Sequence, residues 1–283
     1  MYVRTYDGLE IGLGQPQPPK APQPPKAPQP PKAPQPPLQK TFVSNVITYK
    51  DSQQKCQSTN CAIFVPSALR DQAKIDLVVF FHGLDTCSPT YDSDPQKVVK
   101  NFRLDDQVDK ATRKAALVVP LVLWNSNDRN LGYIRTAWSA AYVNSFVEEV
   151  LDEIAKASRV RPTLDHLIIG GHSAAYDILV PLAEQFDCGE SETKKGALAK
   201  LSRVVAMDIP HYPRHAKALE DWARSRTSVK FFLAFAKAGT PPDIWKQWRL
   251  KNASVPLPGN LQFWNMTKDL HCDLPGKYFG VFL

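Results

Sequence analysis

No segment of this sequence is apolar for long enough to span a membrane. The longest strongly apolar run, Ala116–Trp124, contains Pro120, and a membrane-spanning helix needs about 20 such residues. Met1–Gly14 lacks the basic start and the apolar stretch of a secretory signal. We therefore expect a protein that is not transmembrane and is cytoplasmic by default, although a non-classical export route would leave no such mark.

The sequence also lacks a strong charge of one sign once its proline-rich segment is set aside. The formal net charge is +7. The lysines of residues 15–40 supply four of these charges and residues 1–14 contribute a net −1, so residues 41–283 carry +4. This excess is mild for a domain of that size, and no zinc-finger, RRM or helix-turn-helix pattern accompanies it. The sequence therefore predicts no nucleic-acid partner.

Cysteines are few, and none of them forms a C-x-x-C pair. The five are Cys56, Cys61, Cys87, Cys188 and Cys272, and the odd number leaves at least one thiol free or paired with another chain. Cys56 and Cys61 either form a disulfide in an oxidising compartment or stay reduced. We interpret Cys272 as a buried spectator thiol. Without a C-x-x-C pair we predict no structural metal site, and no cofactor is indicated.

Proline is abundant, and nearly half of it lies in one repetitive segment. Of 25 prolines, twelve lie between Pro16 and Pro37, where A-P-Q-P-P-K repeats with a six-residue step. Proline lacks the backbone N–H and has a fixed φ, so this segment forms neither a helix nor a sheet ladder, and we predict it to be disordered. We divide the chain into a short N-terminal segment (1–14), a proline-rich linker (15–40) and one domain (41–283).

Three interpretations of this linker are open. We favour a spacer between the N-terminal segment and the domain, because a polyproline II chain is extended. The second is a ligand for SH3-like or WW-like domains or for a cell-envelope partner, since P-x-x-P followed by lysine recurs. The third is a solubilising tail without a partner.

Strand and helix patterns alternate through residues 41–283. Continuous apolar runs such as Ile75–Phe81 and Leu164–Gly171 are typical of strands buried on both faces, whereas the apolar spacing in Ala137–Ser158 predicts an amphipathic helix. The first two strands, predicted over Phe42–Tyr49 and Cys61–Val65, should form a hairpin. The alternation predicts an α/β fold with a mostly parallel sheet flanked by helices.

The sharpest local pattern is L-I-I-G-G-H-S-A-A-Y, in which Ser173 follows a buried strand and opens a helix. Small residues at Gly171 and Ala175 permit the tight turn that lifts a serine hydroxyl out of a sheet. The N–H of Ala174 would then face an oxyanion. The alternative is a helix start capped by a serine, because such a string alone occurs often by chance.

Two histidine motifs favour the catalytic interpretation. The strand that ends at Phe81 is followed by His82-Gly83-Leu84. A glycine there lets backbone N–H groups approach a ligand, so Gly83 or Leu84 is a candidate second oxyanion donor. His271 follows the last predicted strand, where a loop can bring an imidazole over the sheet edge. His172, beside the serine, is interpreted as packing on neighbouring loops.

These motifs resemble those of the α/β-hydrolase superfamily, in its serine esterase and lipase branch, over about residues 61–283. They are His82-Gly83, Gly171-His172-Ser173-Ala174-Ala175 and His271. The resemblance implies an eight-stranded, mostly parallel sheet and the catalytic order serine, acid, histidine. Ala175 departs from the commonest pattern, which has glycine there, and no subfamily is indicated.

Two aspartates are candidates for the acid. Asp208 ends a buried strand in V-V-A-M-D, whereas Asp243 lies one strand later in A-G-T-P-P-D. The resemblance places the acid more often at the later position and in some members at the earlier one. Asp243 has a second explanation as a residue at the start of a helix, so we favour Asp208.

The sequence thus predicts a serine hydrolase, most simply a carboxylic ester hydrolase, that cleaves an ester, thioester or amide through Ser173, His271 and Asp208. Its substrate would be a small molecule or an acyl compound. One alternative is an acyltransferase with the same triad. The other is a non-catalytic binding module with a hydrolase fold, tethered by the proline-rich tail, because fold alone does not decide function.

Overall fold

The structure is a computed structural model that describes residues 38–44, 59–83, 95–122, 138–158, 160–236, 240–266 and 270–283. The chain divides into two units, Met1–Pro34 and Gln35–Leu283, and the described residues all belong to the second. Residues 45–49 of the first predicted strand lie outside the described residues, as does Leu84. The predicted division of the chain at residues 14 and 40 stays a prediction.

One sheet of eight strands has the order β1-β2-β4-β3-β5-β6-β7-β8. The strands are β1 Leu38–Ser44, β2 Thr59–Val65, β3 Lys74–Phe81, β4 Ala116–Pro120, β5 Thr163–His172, β6 Leu201–Met207, β7 Lys230–Phe235 and β8 Leu261–Asn265. The β1–β2 and β2–β4 pairings are antiparallel, and the five others are parallel. This sheet confirms the predicted α/β fold and the predicted antiparallel pairing of the first two strands.

Helices connect most of the parallel strands. The α-helices among the described residues are α1 Pro95–Phe102, α2 Leu104–Lys110, α3 Ala140–Ala157, α4 Tyr176–Asp187, α5 Pro213–Ser225, α6 Thr240–Lys251 and α7 Leu274–Tyr278. Helix α3 begins where the Ser139 side chain accepts the backbone N–H of Tyr142. In the part of the chain that is described, no helix has both the length and the apolar composition of a membrane span.

Side chains of the central strands alternate between two layers of core. Leu77, Val79 and Phe81 of β3 belong to the layer that contains α3, α4 and α5. Val78 and Phe80 belong to the layer that contains α1, α2 and the C-terminal residues 274–283. All five side chains are fully buried, which is why the run reads as continuously apolar rather than alternating.

Two glycines let both layers approach the end of β5. A Cβ at Gly170 would lie 2.7 Å from Cε2 of Phe279, and a Cβ at Gly171 would lie 2.9 Å from Cβ of Ala175. Contacts under 3.0 Å force something to shift. The C-terminal segment and the start of α4 therefore lie against opposite faces of the same two residues, next to Ser173.

The first strand begins earlier than the sequence indicates. Leu38 and the next six residues pair with Thr59–Val65, so β1 starts inside the segment predicted as linker. Pro37 is the last proline of the repeat, and Leu38–Ser44 contains no proline, so each of its residues has the backbone N–H that a ladder requires.

The structure excludes one of the two alternatives for Cys61 and contradicts the interpretation of Cys272. Cys61 is a free thiol, so the alternative of a Cys56–Cys61 disulfide does not hold. Cys61 lies inside the sheet, fully buried between β1 and β4, and burial raises the pKa of its thiol. Cys272 is disulfide-bonded rather than a spectator thiol, and its partner lies outside the described residues.

Candidate active site

Several strands of the parallel part of the sheet end at the same edge. β3 leads into His82-Gly83, β5 into Ser173 and β6 into Asp208, and the segment after β8 carries His271. The carboxyl ends of parallel strands meet at one edge, which is where open α/β sheets bind their ligands. The candidate site is therefore built from residues that are far apart in sequence.

Ser173 lies at the sharp turn between β5 and α4. Its φ is +54°, a left-handed conformation that costs a residue with a Cβ about 1–3 kcal/mol. Ser173–Ala175 forms a 3-10 turn that continues into α4 at Tyr176. The N-terminal end of a helix carries a partial positive charge, so this turn combines a strained serine with an electropositive surrounding.

Gly83 packs directly against Ser173. A Cβ at Gly83 would lie 2.8 Å from Cβ of Ser173 and 3.1 Å from the carbonyl oxygen of His172. His82 holds this segment, because its Nδ1 bonds to the carbonyl oxygen of Gly83 at 2.8 Å and its Nε2 bonds to the backbone N–H of Val122 at 3.2 Å. Since Nε2 accepts, Nδ1 carries the proton. The end of β3 is thus tied to the end of β4.

Asp208 and His271 form a hydrogen-bonded pair. Nδ1 of His271 donates to Oδ2 of Asp208, because a carboxylate only accepts. Oδ1 of Asp208 accepts the backbone N–H of Ala236 at 3.2 Å. Asp208 is buried, whereas 32% of the His271 side chain is exposed. Both carboxylate oxygens are therefore occupied, and the imidazole is open to solvent on one side.

The backbone at Asp208 is also unusual, with φ at +55°. Aspartate tolerates this left-handed conformation better than most residues, and it turns the chain sharply at the end of β6. Asp243, the other predicted candidate, lies in the first turn of α6 and is exposed.

His172 contacts His271 through its ring and its hydrogen bond. Its Nε2 bonds to the backbone carbonyl oxygen of His271 at 3.0 Å, and the two ring centroids are 4.4 Å apart. The His172 ring also lies beside the ring of Phe102, with centroids 6.0 Å apart. Burial, reinforced by the electrostatic effect of the neighbouring His271, lowers the pKa of His172 to about 3. His172 is therefore neutral at ordinary pH.

Aromatic rings join the segment after Asp208 to the first turn of α4. Tyr176 stacks on His215 with centroids 4.6 Å apart and lies 5.2 Å from His211. Tyr212 lies 5.0 Å from His215, and 53% of it is exposed. Burial lowers the pKa of His211 although the Asp208 carboxylate opposes this shift. These contacts connect the residues that follow Ser173 with those that follow Asp208.

Among the described residues, one group of potential metal ligands lies at the opposite edge of the sheet. Asp76, Asp165 and His166 place one ligand atom each within 4.8 Å of one another, at the starts of β3 and β5. Asp76 already accepts hydrogen bonds from Arg113 and from His166. Because its carboxylate is neutralised by protein groups, we assign no metal to this group.

Comparison with known proteins supports the fold. No protein-family model matches the sequence, and no curated protein matches it significantly. One of two fungal esterases from Rhizomucor miehei is 12% identical with a TM-score of 0.52, covering 88% of this chain and 80% of that one. An S-formylglutathione hydrolase from Agrobacterium tumefaciens is 14% identical with a TM-score of 0.50, covering 87% and 93%. A ferulic acid esterase is 18% identical with a TM-score of 0.48, covering 81% and 88%.

The likeness to the first two structures shows that this chain has the α/β-hydrolase fold. The resemblance that the motifs indicate is thereby confirmed at the level of the fold.

Sequence reasoning misses two features of this edge, the contact of His172 with His271 and the disulfide of Cys272. The alternation of side chains along β5 could have indicated the first, since His172 shares a face with Gly170. The sequence does not reveal that the C-terminal segment covers that face.

Proposed function

We propose that this protein hydrolyses carboxylic esters by acyl transfer through Ser173, His271 and Asp208. The observation that carries the proposal is the hydrogen-bonded Asp208–His271 pair at the sheet edge where Ser173 occupies a left-handed turn. The α/β-hydrolase fold accommodates this chemistry without requiring it. The proposal therefore depends on the side chains and on their hydrogen bonds.

The tautomer of His271 favours its role as a general base. Because Nδ1 donates to Asp208, Nε2 keeps a free lone pair that can take the hydroxyl proton of Ser173. Oγ of Ser173 then forms a bond to the carbonyl carbon of the ester, and the proton moves to Nε2. The buried carboxylate of Asp208 stabilises the resulting imidazolium.

Backbone N–H groups would stabilise the negative charge that develops on the carbonyl oxygen. The N–H of Ala174 follows the serine in the 3-10 turn that leads into α4, and the helix dipole adds to its effect. Gly83 or Leu84 would supply the second donor. The close packing of Gly83 against Ser173 supports this assignment.

The remaining steps return the enzyme to its starting state. His271 gives its Nε2 proton to the leaving alcohol as the carbon–oxygen bond of the ester breaks, and the acyl group stays on Ser173. Water loses a proton to His271 and attacks the acyl carbon, the bond to Oγ breaks, and Ser173 regains the proton. Thioesters and amides would follow the same route, and an alcohol that replaces water as the acyl acceptor would make the protein an acyltransferase.

A fluorophosphonate probe and short p-nitrophenyl esters test the proposal. Wild type should be labelled and should hydrolyse an ester, and Ser173→Ala should do neither. Ser202→Ala is a matched control, because Ser202 is a half-buried serine on β6 whose hydroxyl bonds to the carbonyl oxygen of Leu167. Folded wild-type protein that takes no label and cleaves no ester would refute the proposal.

A further inference from the structure

The main chain of His271 is held by a residue next to the nucleophile. Nε2 of His172 donates to the carbonyl oxygen of His271 at 3.0 Å, and Ser173 follows His172 directly in the chain. We propose that His172 is a positioning residue that fixes the imidazole of His271 relative to Ser173. This inference rests on the proposed function and assigns a role that the triad does not include.

The connection between base and nucleophile is short. From Ser173 to His271 it consists of one peptide unit, the imidazole ring of His172 and one hydrogen bond. Asp208, which also bonds to His271, follows a different strand from the one that leads into Ser173. The ring of His172 also lies against the ring of His271, with centroids 4.4 Å apart and an interplanar angle of 36°. His271 is therefore held at its side chain from β6 and at its main chain from β5.

Packing alone does not account for a histidine at this position. The Nδ1 atom of His172 is buried, and no described residue hydrogen-bonds to it. A buried polar atom without a partner costs about 1–3 kcal/mol. A phenylalanine would pack against Phe102 without that cost, so the feature that only the imidazole supplies is the Nε2–H donor.

Loosening His271 should slow proton transfer more than it weakens substrate binding. The nitrogen of a general base must lie within about 2.6–3.2 Å of the oxygen whose proton it takes, and a misplacement of about 1 Å can cost about 100-fold in rate. His172 is fully buried, so it does not contact substrate directly. The expected signature is a fall in kcat with KM nearly constant.

Three variants separate the hydrogen bond from packing. His172→Phe keeps a ring and removes the donor, and kcat should fall about 10- to 100-fold with KM within about twofold. His172→Gln keeps an N–H donor and should recover part of kcat. Phe102→Leu keeps the donor but weakens the packing on the His172 ring, and it should lower the melting temperature while kcat stays within about threefold.

A readout that does not need turnover completes the experiment. The proton on Nδ1 of His271, bonded to Asp208, should give a downfield NMR resonance that exchanges faster with solvent in His172→Phe than in wild type. An unchanged resonance together with kcat within about twofold of wild type in His172→Phe would overturn the inference. So would an equal loss of kcat in Phe102→Leu, because activity would then follow packing. If wild type neither hydrolyses esters nor takes the probe, the proposed function fails, and the exchange rate alone decides the role of His172.

Discussion

Replacing His172 should make the protein less sensitive to acid. In the folded state burial, together with the electrostatic effect of the neighbouring His271, lowers the pKa of His172 from 6.5 to about 3. The unfolded chain therefore binds a proton at this residue at a higher pH than the folded chain does. The stability that depends on neutral His172 is complete above pH 6.5 and is lost as the pH falls from 6.5 towards 3.

The size of this loss follows from the shift. At pH 4.5, two units below the unfolded pKa, protonation of the unfolded chain lowers the free energy of unfolding by about 3 kcal/mol, because each unit is worth about 1.4 kcal/mol. In a domain of this size 1 kcal/mol corresponds to about 2–4 °C in melting temperature. Wild type should thus lose about 6–12 °C more than His172→Phe between pH 7.5 and pH 4.5.

Scanning calorimetry of both proteins at the two pH values measures this difference. Groups that titrate in this range and do not interact with His172 contribute equally to both proteins and cancel in the subtraction. Equal losses in wild type and His172→Phe would refute the reasoning, because His172 would then not be kept neutral by burial.

Four further changes test the site. Gly83→Ala should lower kcat/KM about 100-fold, because its Cβ would lie 2.8 Å from Cβ of Ser173; an ester-hydrolysis assay with full activity would contradict this. Asp208→Asn should lower kcat by about 10⁴-fold, and Asp243→Asn should lower it by less than about twofold. If Asp243→Asn caused the larger loss of kcat, Asp243 would be the acid of the triad instead of Asp208. Ser173→Gly and Ser173→Ala should both be inactive, but the glycine variant should be about 1 kcal/mol more stable in denaturant titrations, since only glycine adopts φ near +54° freely. Reductant should lower kcat by breaking the disulfide of Cys272 beside His271, whereas Cys272→Ser should be insensitive to it.

The strands, helices and the serine turn could be predicted because their causes are local. The apolar run of β5, the small residues at Gly171 and Ala175, and the helix pattern that follows lie within about two dozen residues. The structure places Ser173 between β5 and α4 as this pattern indicates. The observed ends of strands differ from the predicted ends where the local sequence signals are weak. Strand β1, for example, starts directly after the last proline of the repeat.

The partners of His271 depend on contacts across long stretches of chain. Asp208 is 63 residues away and His172 is 99 residues away. Hydrophobic periodicity predicts that Asp208 lies at the end of a strand. It does not predict which strand end lies beside the segment after β8. Cys272 illustrates the same limit, because the spacing of cysteines does not reveal which of them come together.

The sequence by itself determined an α/β domain with a serine turn and a histidine after the last strand, because hydrophobic period and turn chemistry act between near neighbours. Only the tertiary structure decided that Asp208 rather than Asp243 bonds to His271, and that His172 holds the backbone of His271. Both contacts arise because parallel strands bring their carboxyl ends to one edge and because Gly170 lets the C-terminal segment lie close against β5.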